Sequence, residues 1–590
     1  MKQERIRFID LAKYIHKSNA LIFKWRKSYI FGSIIFNAIL GVLPVSSTLI
    51  MQQILNTLQS NTININALRT YIVSYLVVEV IIVVINYSYT YLSNKSIRII
   101  NKNIQLTILD KSANLSLGDY EDSDTHNLLT RAQNGANTIT TFISGYFTVF
   151  RVVVSGISSI IILSKYNLYY IIIILIVPIF EYLFVFRMSR LQYLIRKKRT
   201  SKERSVWYLS HIVKTGISLK EIKTFGLIDH WLKRVDRLSS EMIDEDLTVT
   251  KKSVWGQSLL AICEVIISGF VFSRIIIDGL EGKILIGDVI TYNRLIFGIK
   301  GNVESIFSTV EKMLKDALDV SNYYEFLEIK PEKNGTHIID HIDSVQFKNV
   351  SFKYKNNDDY TLRDISFCIT AGETVALVGT NGSGKSTILK LLLGFYSDYS
   401  GSILINGIEL REIDKETFYA HISCVFQDFM KYEDTIRENI ACSDMAAASN
   451  DSKITTALLD AGFDAANTKI FELDSMLGTW FDDGTQLSGG EWQRIALGRA
   501  FFKDAELYMF DEPSSALDPR SEDLILENYC KIIKGKIGIV SSHSLIKIGK
   551  YINRIIVMDK GSIVEDGKHD DLLRKKGVYY TMYKSCTDKY

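Results

Sequence analysis

Glu373-Thr-Val-Ala-Leu-Val-Gly-Thr-Asn-Gly-Ser-Gly-Lys-Ser-Thr387, followed at once by Ile388-Leu-Lys-Leu-Leu-Leu393, decides how the C-terminal half of this 590-residue chain folds. The apolar run up to Val378 reads as a buried strand, and the run from Ile388 reads as a helix. Between them stands G-x-x-x-x-G-K-S, in the strand–loop–helix setting where such a loop cradles phosphate. Gly379, Gly382 and Gly384 let the backbone turn its N–H groups inward, and Thr380, Asn381, Ser383 and Thr387 complete the loop around the anion. The helix starting near Lys385 adds its positive dipole end. Lys385 is placed to reach the β- and γ-phosphates of ATP, and Ser386 to ligate Mg²⁺.

A second strand-like run, Ala505-Glu-Leu-Tyr-Met-Phe510, ends in Asp511-Glu512-Pro513. Carboxylates at the C-terminal ends of strands lie where ligands bind in open α/β sheets. Asp511 there suits Mg²⁺ through its water shell, and Glu512, one residue on, suits activation of the attacking water.

Around these pieces stand Tyr354, Gln427, Leu487-Ser-Gly-Gly-Glu-Trp-Gln493, Ser515-Ala-Leu-Asp518 and His543, in that order along the chain. With them, residues of about 345–585 resemble the nucleotide-binding domain of ABC (ATP-binding cassette) transporters. The resemblance implies that Tyr354 stacks on adenine, that Gln427 senses γ-phosphate and Mg²⁺, and that His543 contacts γ-phosphate. It further implies that Ser488, Gly489, Gly490 and Glu491 cap the nucleotide of another subunit, and that Asp518 acts across the dimer. Two positions depart from the common pattern: Glu491 stands where Gln is usual, and Ser544 where Arg is usual. With Glu512 and the signature intact, both composite sites of a homodimer are expected to hydrolyse ATP.

The first half carries the hydrophobicity of a chain that is 47% hydrophobic. Six spans are predicted, at about 28–52, 68–92, 138–163, 168–188, 253–277 and 286–310. Each is near the roughly 20 residues a bilayer core needs. The last is interrupted by Asp288, Arg294 and Lys300, and is kept because an even count returns the chain to the side of the ATPase. Lys24, Arg26 and Lys27 before the first span, and Arg196-Lys-Lys-Arg199 between the fourth and fifth, place the N-terminus, the long loops and the ATPase in the cytoplasm. The basic N-terminus has no small-residue cleavage site after its apolar run, so no cleavable signal peptide is expected. A net charge of +3 gives no argument for nucleic acid, and Cys263, Cys368, Cys424, Cys442, Cys530 and Cys586 show no metal-ligand spacing.

The expected architecture is a cytoplasmic segment over 1–27, an all-α transmembrane domain of six helices over 28–325, a linker over 326–344, and an α/β P-loop ATPase domain over 345–590. The long inside loops of about 93–137 and 189–252 are explained by helices that continue past the membrane and end in a turn against the ATPase. The arrangement resembles exporter-type ABC half-transporters across essentially the whole chain. In that likeness Leu117–Asp122 and Lys220–Leu227 fall in the coupling regions. Half a transporter needs a second chain: a homodimer is the first expectation, a different half-transporter the alternative. Glu79, Arg151, Glu181 and Glu264 lie within spans, where ionisable groups either pair or line a wet path.

The flanks Phe426–Glu433 and Leu477–Gln486, with Asp119–Asp122 and Arg131-Ala-Gln133, resemble the nisin- and subtilin-type lantibiotic exporters, which lack an N-terminal peptidase. That likeness implies export of a modified precursor peptide across the bacterial cytoplasmic membrane, with a modification-enzyme complex and membrane lipid as further partners. A multidrug or lipid exporter, an importer on the same framework, and an ATP-dependent sensor without flux stay open on sequence.

Overall fold

The computed structural model describes residues 8–60, 64–164, 169–215, 218–355, 357–464, 472–513, 518–542 and 544–587. The chain divides into two compact units, residues 1–113 with 126–329, and residues 114–125 with 330–590.

Among the described residues the first unit is built from six long helices, Phe8–Gln59, Ile65–Ala113, Ser123–Leu163, Tyr169–Thr215, Ile228–Leu280 and Ile286–Glu328. Helix continues through most of the inside loops 93–137 and 189–252, as their length leads one to expect. The first helix breaks at Arg26, where φ is −152° and ψ 70°, just before the predicted start of the first span. Among the described residues five helices are long and apolar enough to cross a membrane, and Ile286–Glu328 is not one of them. Two of its interrupting charges, Asp288 and Lys300, meet partners on neighbouring helices. Asp288 accepts from Asn56 at 2.9 Å and Gln52 at 2.5 Å, and from its own Leu285 N–H at 3.0 Å. Lys300 pairs with Glu264, and also lies 3.7 Å from Glu304. Glu264 thus finds a lysine rather than Arg151, and Glu79 accepts from Ser47 Oγ at 2.6 Å. Lys300, Glu181, Glu264 and Glu304 line a cavity of about 490 Å³ with Tyr182 and Phe307, whose rings stack at 4.3 Å. The helix Ile65–Ala113 leaves its apolar window wholly unburied, as expected of a surface solvated by lipid. Arg199, from the basic run used to orient the chain, is buried and bonds Asp246 at 2.8 Å and Glu203 at 3.0 Å.

The described residues of the second unit form two sheets. The strands are β1 (Ser344–Phe352), β2 (Leu362–Thr370), β3 (Thr374–Gly379), β4 (Ser400–Ile405), β5 (Ile408–Glu409), β6 (Ile422–Val425), β7 (Leu507–Asp511), β8 (Ile537–Ser541), β9 (Arg554–Asp559) and β10 (Ser562–Gly567). One sheet runs β2-β1-β4-β5, antiparallel throughout. The other runs β10-β9-β3-β8-β7-β6, parallel except where β10 joins β9. All five residues of β7 and of β8 are buried, as apolar runs in a parallel sheet covered on both faces should be. The alternation buried–exposed along β2 is that of an antiparallel strand with one covered face. The predicted strand and helix around the phosphate loop appear as β3 and Lys385–Leu392, and the second predicted strand as β7.

Candidate active site

Parallel strands with the same direction bring their C-terminal ends to one edge, and three of those ends build the site. Gly379 closes β3, Ser541 closes β8 and Asp511 closes β7, with β8 lying between the other two. The loop after β3 turns back on Gly382 at φ +79° and Gly384 at φ +103°, both in the left-handed region that glycine adopts without strain. A Cβ on Gly384 would stand 2.5 Å from Leu362 Cδ2. Lys385 opens the helix and folds its ammonium back to donate to the carbonyls of Gly379 at 3.0 Å and Thr380 at 3.3 Å. Burial holds that ammonium below the ordinary lysine range, while Glu512 and Asp511 pull it the other way. A buried ammonium suits an anionic ligand, and the two carboxylates facing it suit a divalent cation bound with that anion.

Ser541 is the hinge of the acidic edge, and it was not foreseen. Its hydroxyl donates to Asp511, and the Glu512 N–H donates to Ser541 Oγ at 3.1 Å. Glu512 sits at φ +50°, an uncommon conformation for a non-glycine residue, and its N–H also reaches the Ser541 carbonyl at 3.2 Å. Gln427 Nε2 donates to Glu512 Oε2 at 2.9 Å, so the glutamine and the carboxylate named from sequence do meet. Gln493 adds a second unforeseen contact, its buried Nε2 donating to Pro513 O at 2.7 Å. Gln493 closes the quoted motif Leu487–Gln493, whereas the only sequence sign of Ser541 is a polar side chain ending an otherwise apolar stretch.

Tyr354 shares a hydrogen bond with Thr387 Oγ1 at 3.1 Å, which sets its ring beside the phosphate-loop helix. Tyr396 packs edge-on against Tyr354 at 5.4 Å and donates to both Glu121 oxygens at 2.8 Å. Glu121 closes the short helix Leu117–Glu121, part of the segment assigned from sequence to coupling.

The signature residues sit at the start of the helix Gly489–Phe502. Ser488 is its N-cap: Glu491 N–H donates to Ser488 Oγ at 3.3 Å, and Ser488 N–H donates to Glu491 Oε2 at 2.8 Å. Glu491, which departs from the common Gln, therefore completes a capping box. Gly489 and Gly490 form its first turn. Asp518 caps Pro519–Ile532, accepting from the Arg520 and Ser521 N–H groups at 3.1 Å each. Hydrogen bonds from Ser521 hold its carboxyl below the usual carboxylate range. His543 lies outside the described residues, as do Ser515, Ala516 and Leu517.

A parallel sheet that gathers a phosphate loop, a strand-end aspartate and a glutamate at one edge, in a unit that also carries a capped Ser-Gly-Gly helix start, defines a nucleotide-hydrolysing cassette joined to a helical membrane unit. Residues 362–515 match the ABC transporter family, and residues 30–301 the ABC transporter transmembrane region. The subtilin transport ATP-binding protein of Bacillus subtilis is 34% identical over 591 residues, 99% of this chain and 96% of that one. The nisin transport ATP-binding protein of Lactococcus lactis subsp. lactis is 32% identical over 579 residues, 96% of this chain and 95% of that one. An ATP-dependent lipid A-core flippase of Pseudomonas fluorescens is 32% identical over 388 residues, 65% of this chain and 64% of that one. A bacterial Atm1-family ABC exporter with ATP bound shares the fold at a TM-score of 0.78 and 22% identity, over 95% of this chain and 99% of that one. The chain belongs to the ABC transporters. It is an ABC exporter with a helical transmembrane domain followed by an ATPase domain, a multi-pass protein of the cytoplasmic membrane that binds ATP and couples its hydrolysis to transport.

Proposed function

We propose that this protein exports a lantibiotic or related modified precursor peptide, working as a homodimer with two composite ATP sites. One observation carries the reading. The similarity to proteins named for subtilin and nisin transport runs through 99% and 96% of this chain, whereas the likeness to the lipid A-core flippase takes in 65%. Whole-length likeness includes the membrane helices that meet the cargo.

In this reading Lys385 and the backbone of Gly379–Thr387 hold the phosphates, and Tyr354 holds the base. Ser386, Asp511 and Gln427 would hold Mg²⁺. Asp511 fits that duty, being 7% exposed at a strand end with Ser541 fixing its carboxylate. The ion supplies charge neutralisation on the transferred phosphoryl group. Glu512, oriented by Gln427 and Ser541, takes a proton from the attacking water. His543 contacts the γ-phosphate, and Ser488, Gly489, Gly490 and Glu491 of each chain close on the nucleotide of the other. ATP held between two cassettes favours their closure because it binds that state better, and hydrolysis releases it.

Inverted membrane vesicles test the proposal. Uptake of a lanthionine-bearing precursor peptide is expected to require ATP and to vanish in Glu512→Gln. Uptake of a lipid or hydrophobic dye that the peptide does not compete with would replace the peptide reading.

A further inference from the structure

We infer that Glu433 is a positioning residue of the ATPase cycle, tying the loop that carries Gln427 to the loop that leads into Ser488. Six residues after Gln427, Glu433 turns its carboxylate beneath a second loop. Glu433 Oε2 accepts from the N–H groups of Thr479 and Trp480, each at 2.7 Å. Such short bonds from successive amides to one carboxylate oxygen are charge-assisted and roughly twice as strong as neutral ones. The fit is tight enough to specify the neighbouring residue. Gly478 lies at φ +97°, and a Cβ there would stand 2.3 Å from Glu433 Oε2.

The contact is one of a set joining the same two loops. Leu477 N–H donates to Asp434 O at 3.0 Å, and Ile436 N–H to Ser475 O at 3.1 Å. From there Gly478 N–H donates to Thr485 O at 3.0 Å, three residues before Ser488. On the other side the Gln427 loop is pinned to the signature helix. Arg499 Nη1 donates to Met430 O at 2.8 Å and Nη2 to Asn439 Oδ1 at 2.8 Å, while Asn439 Nδ2 donates to Tyr432 O at 2.8 Å. Since Gln427 itself bonds Glu512 at 2.9 Å, the carboxylate of Glu433 fixes the register between the residue that meets Glu512 and the turn that presents Ser488. Removing it leaves the loops joined by backbone bonds and the Arg437–Asp474 pair at 2.8 Å, none of which holds Thr479 or Trp480, and lets the turn at Gly478–Trp480 drift.

The inference rests on the reading that Gln427 and Ser488 act on ATP, and Gln427→Ala is the control for that reading. The test compares Glu433→Ala and Glu433→Gln in the full-length protein in lipid nanodiscs. It measures ATP Kd, kcat, and amide exchange with and without Mg²⁺-ATP. A glutamine oxygen can still accept both N–H groups. Expected for Glu433→Ala is a fall in kcat of about tenfold or more with ATP Kd little changed, and recovery of most of that loss in Glu433→Gln. In the parent, Mg²⁺-ATP is expected to slow exchange over 427–434 and 478–481 together. In Glu433→Ala only the first segment should respond. Unchanged kcat, equal losses in kcat and affinity, failure of Glu433→Gln to recover, or a persisting response at 478–481 would each overturn the inference. Loss of activity in Gln427→Ala alongside normal Glu433→Ala overturns the inference alone, whereas normal Gln427→Ala overturns the reading beneath it.

Discussion

Replacing Ser541 by alanine removes one oxygen from the sheet edge and leaves the strand otherwise intact. The residue is fully buried between the phosphate-loop strand and the aspartate strand. Its hydroxyl serves two neighbours, donating to the Asp511 carboxylate and accepting from the Glu512 N–H at 3.1 Å. The Glu512 N–H keeps the Ser541 carbonyl at 3.2 Å, so the uncompensated loss falls on Asp511. A hydrogen bond to a charged group contributes about 1.5–3 kcal/mol. Since about 1.4 kcal/mol of barrier is tenfold in rate, full expression in the transition state lowers kcat by about 10- to 150-fold. Phosphate release at saturating Mg²⁺-ATP, alongside ATP Kd and the thermal midpoint, measures it. A well-folded Ser541→Ala with kcat within about twofold of the parent would refute the argument that this hydroxyl organises the carboxylate pair.

Glu512→Gln should retain ATP binding and lose turnover; normal turnover would mean another group activates water. Gly384→Ala forces an L side chain into φ +103° and a Cβ to 2.5 Å from Leu362 Cδ2, so about 1–3 kcal/mol of strain should weaken ATP binding about tenfold or more by equilibrium titration. Lys300→Met leaves Glu264, 14% exposed, without its cation and should lower the thermal midpoint, with Glu264→Gln on the same chain restoring it. Failure of the double variant to recover would separate the two residues energetically. Asp319 lies beyond the predicted sixth span, and burial pushes its carboxyl above the usual carboxylate range. The fold then favours the protonated form, so stability present at low pH is lost as pH rises through the folded value. Asp319→Asn should therefore raise the thermal midpoint at about pH 8, with the gain closing toward about pH 4.

The nucleotide site was legible where its parts are local. The strand, loop and helix around Lys385 occupy one short stretch, and backbone preference with hydrophobic run length is enough to recognise them. Glu512 and Gln427 were both named, yet their contact at 2.9 Å spans 85 residues of sequence and no pattern announces it. Ser541 was missed for the same reason, and Glu433 was quoted only as the end of the flank Phe426–Glu433, since a serine ending a strand or a glutamate in a loop is ordinary until its partner is known. Glu491 looked like a minor departure, and in the fold it caps the N–H of Ser488 at 2.8 Å.

The sixth helix shows the opposite failure of hydropathy. Asp288 and Lys300 lower its apolar score, but their costs are met by Gln52, Asn56 and Glu264 on other helices. Hydropathy sums residues along one segment and is blind to compensation from another. The break at Arg26 is likewise invisible to hydropathy, whereas the continuation of helix through the inside loops was legible in their length.

By itself the sequence determined the class of machine: a phosphate-binding loop, strand-end carboxylates and long apolar runs are short-range patterns, written in composition and spacing. Tertiary structure alone decided which of those groups touch. It set Ser541 between Asp511 and Glu512, Glu433 under Trp480, and Glu121 against Tyr396, 275 residues away. The reason is physical: a hydrogen bond is settled within about 3 Å, and only the folded chain brings distant residues that close.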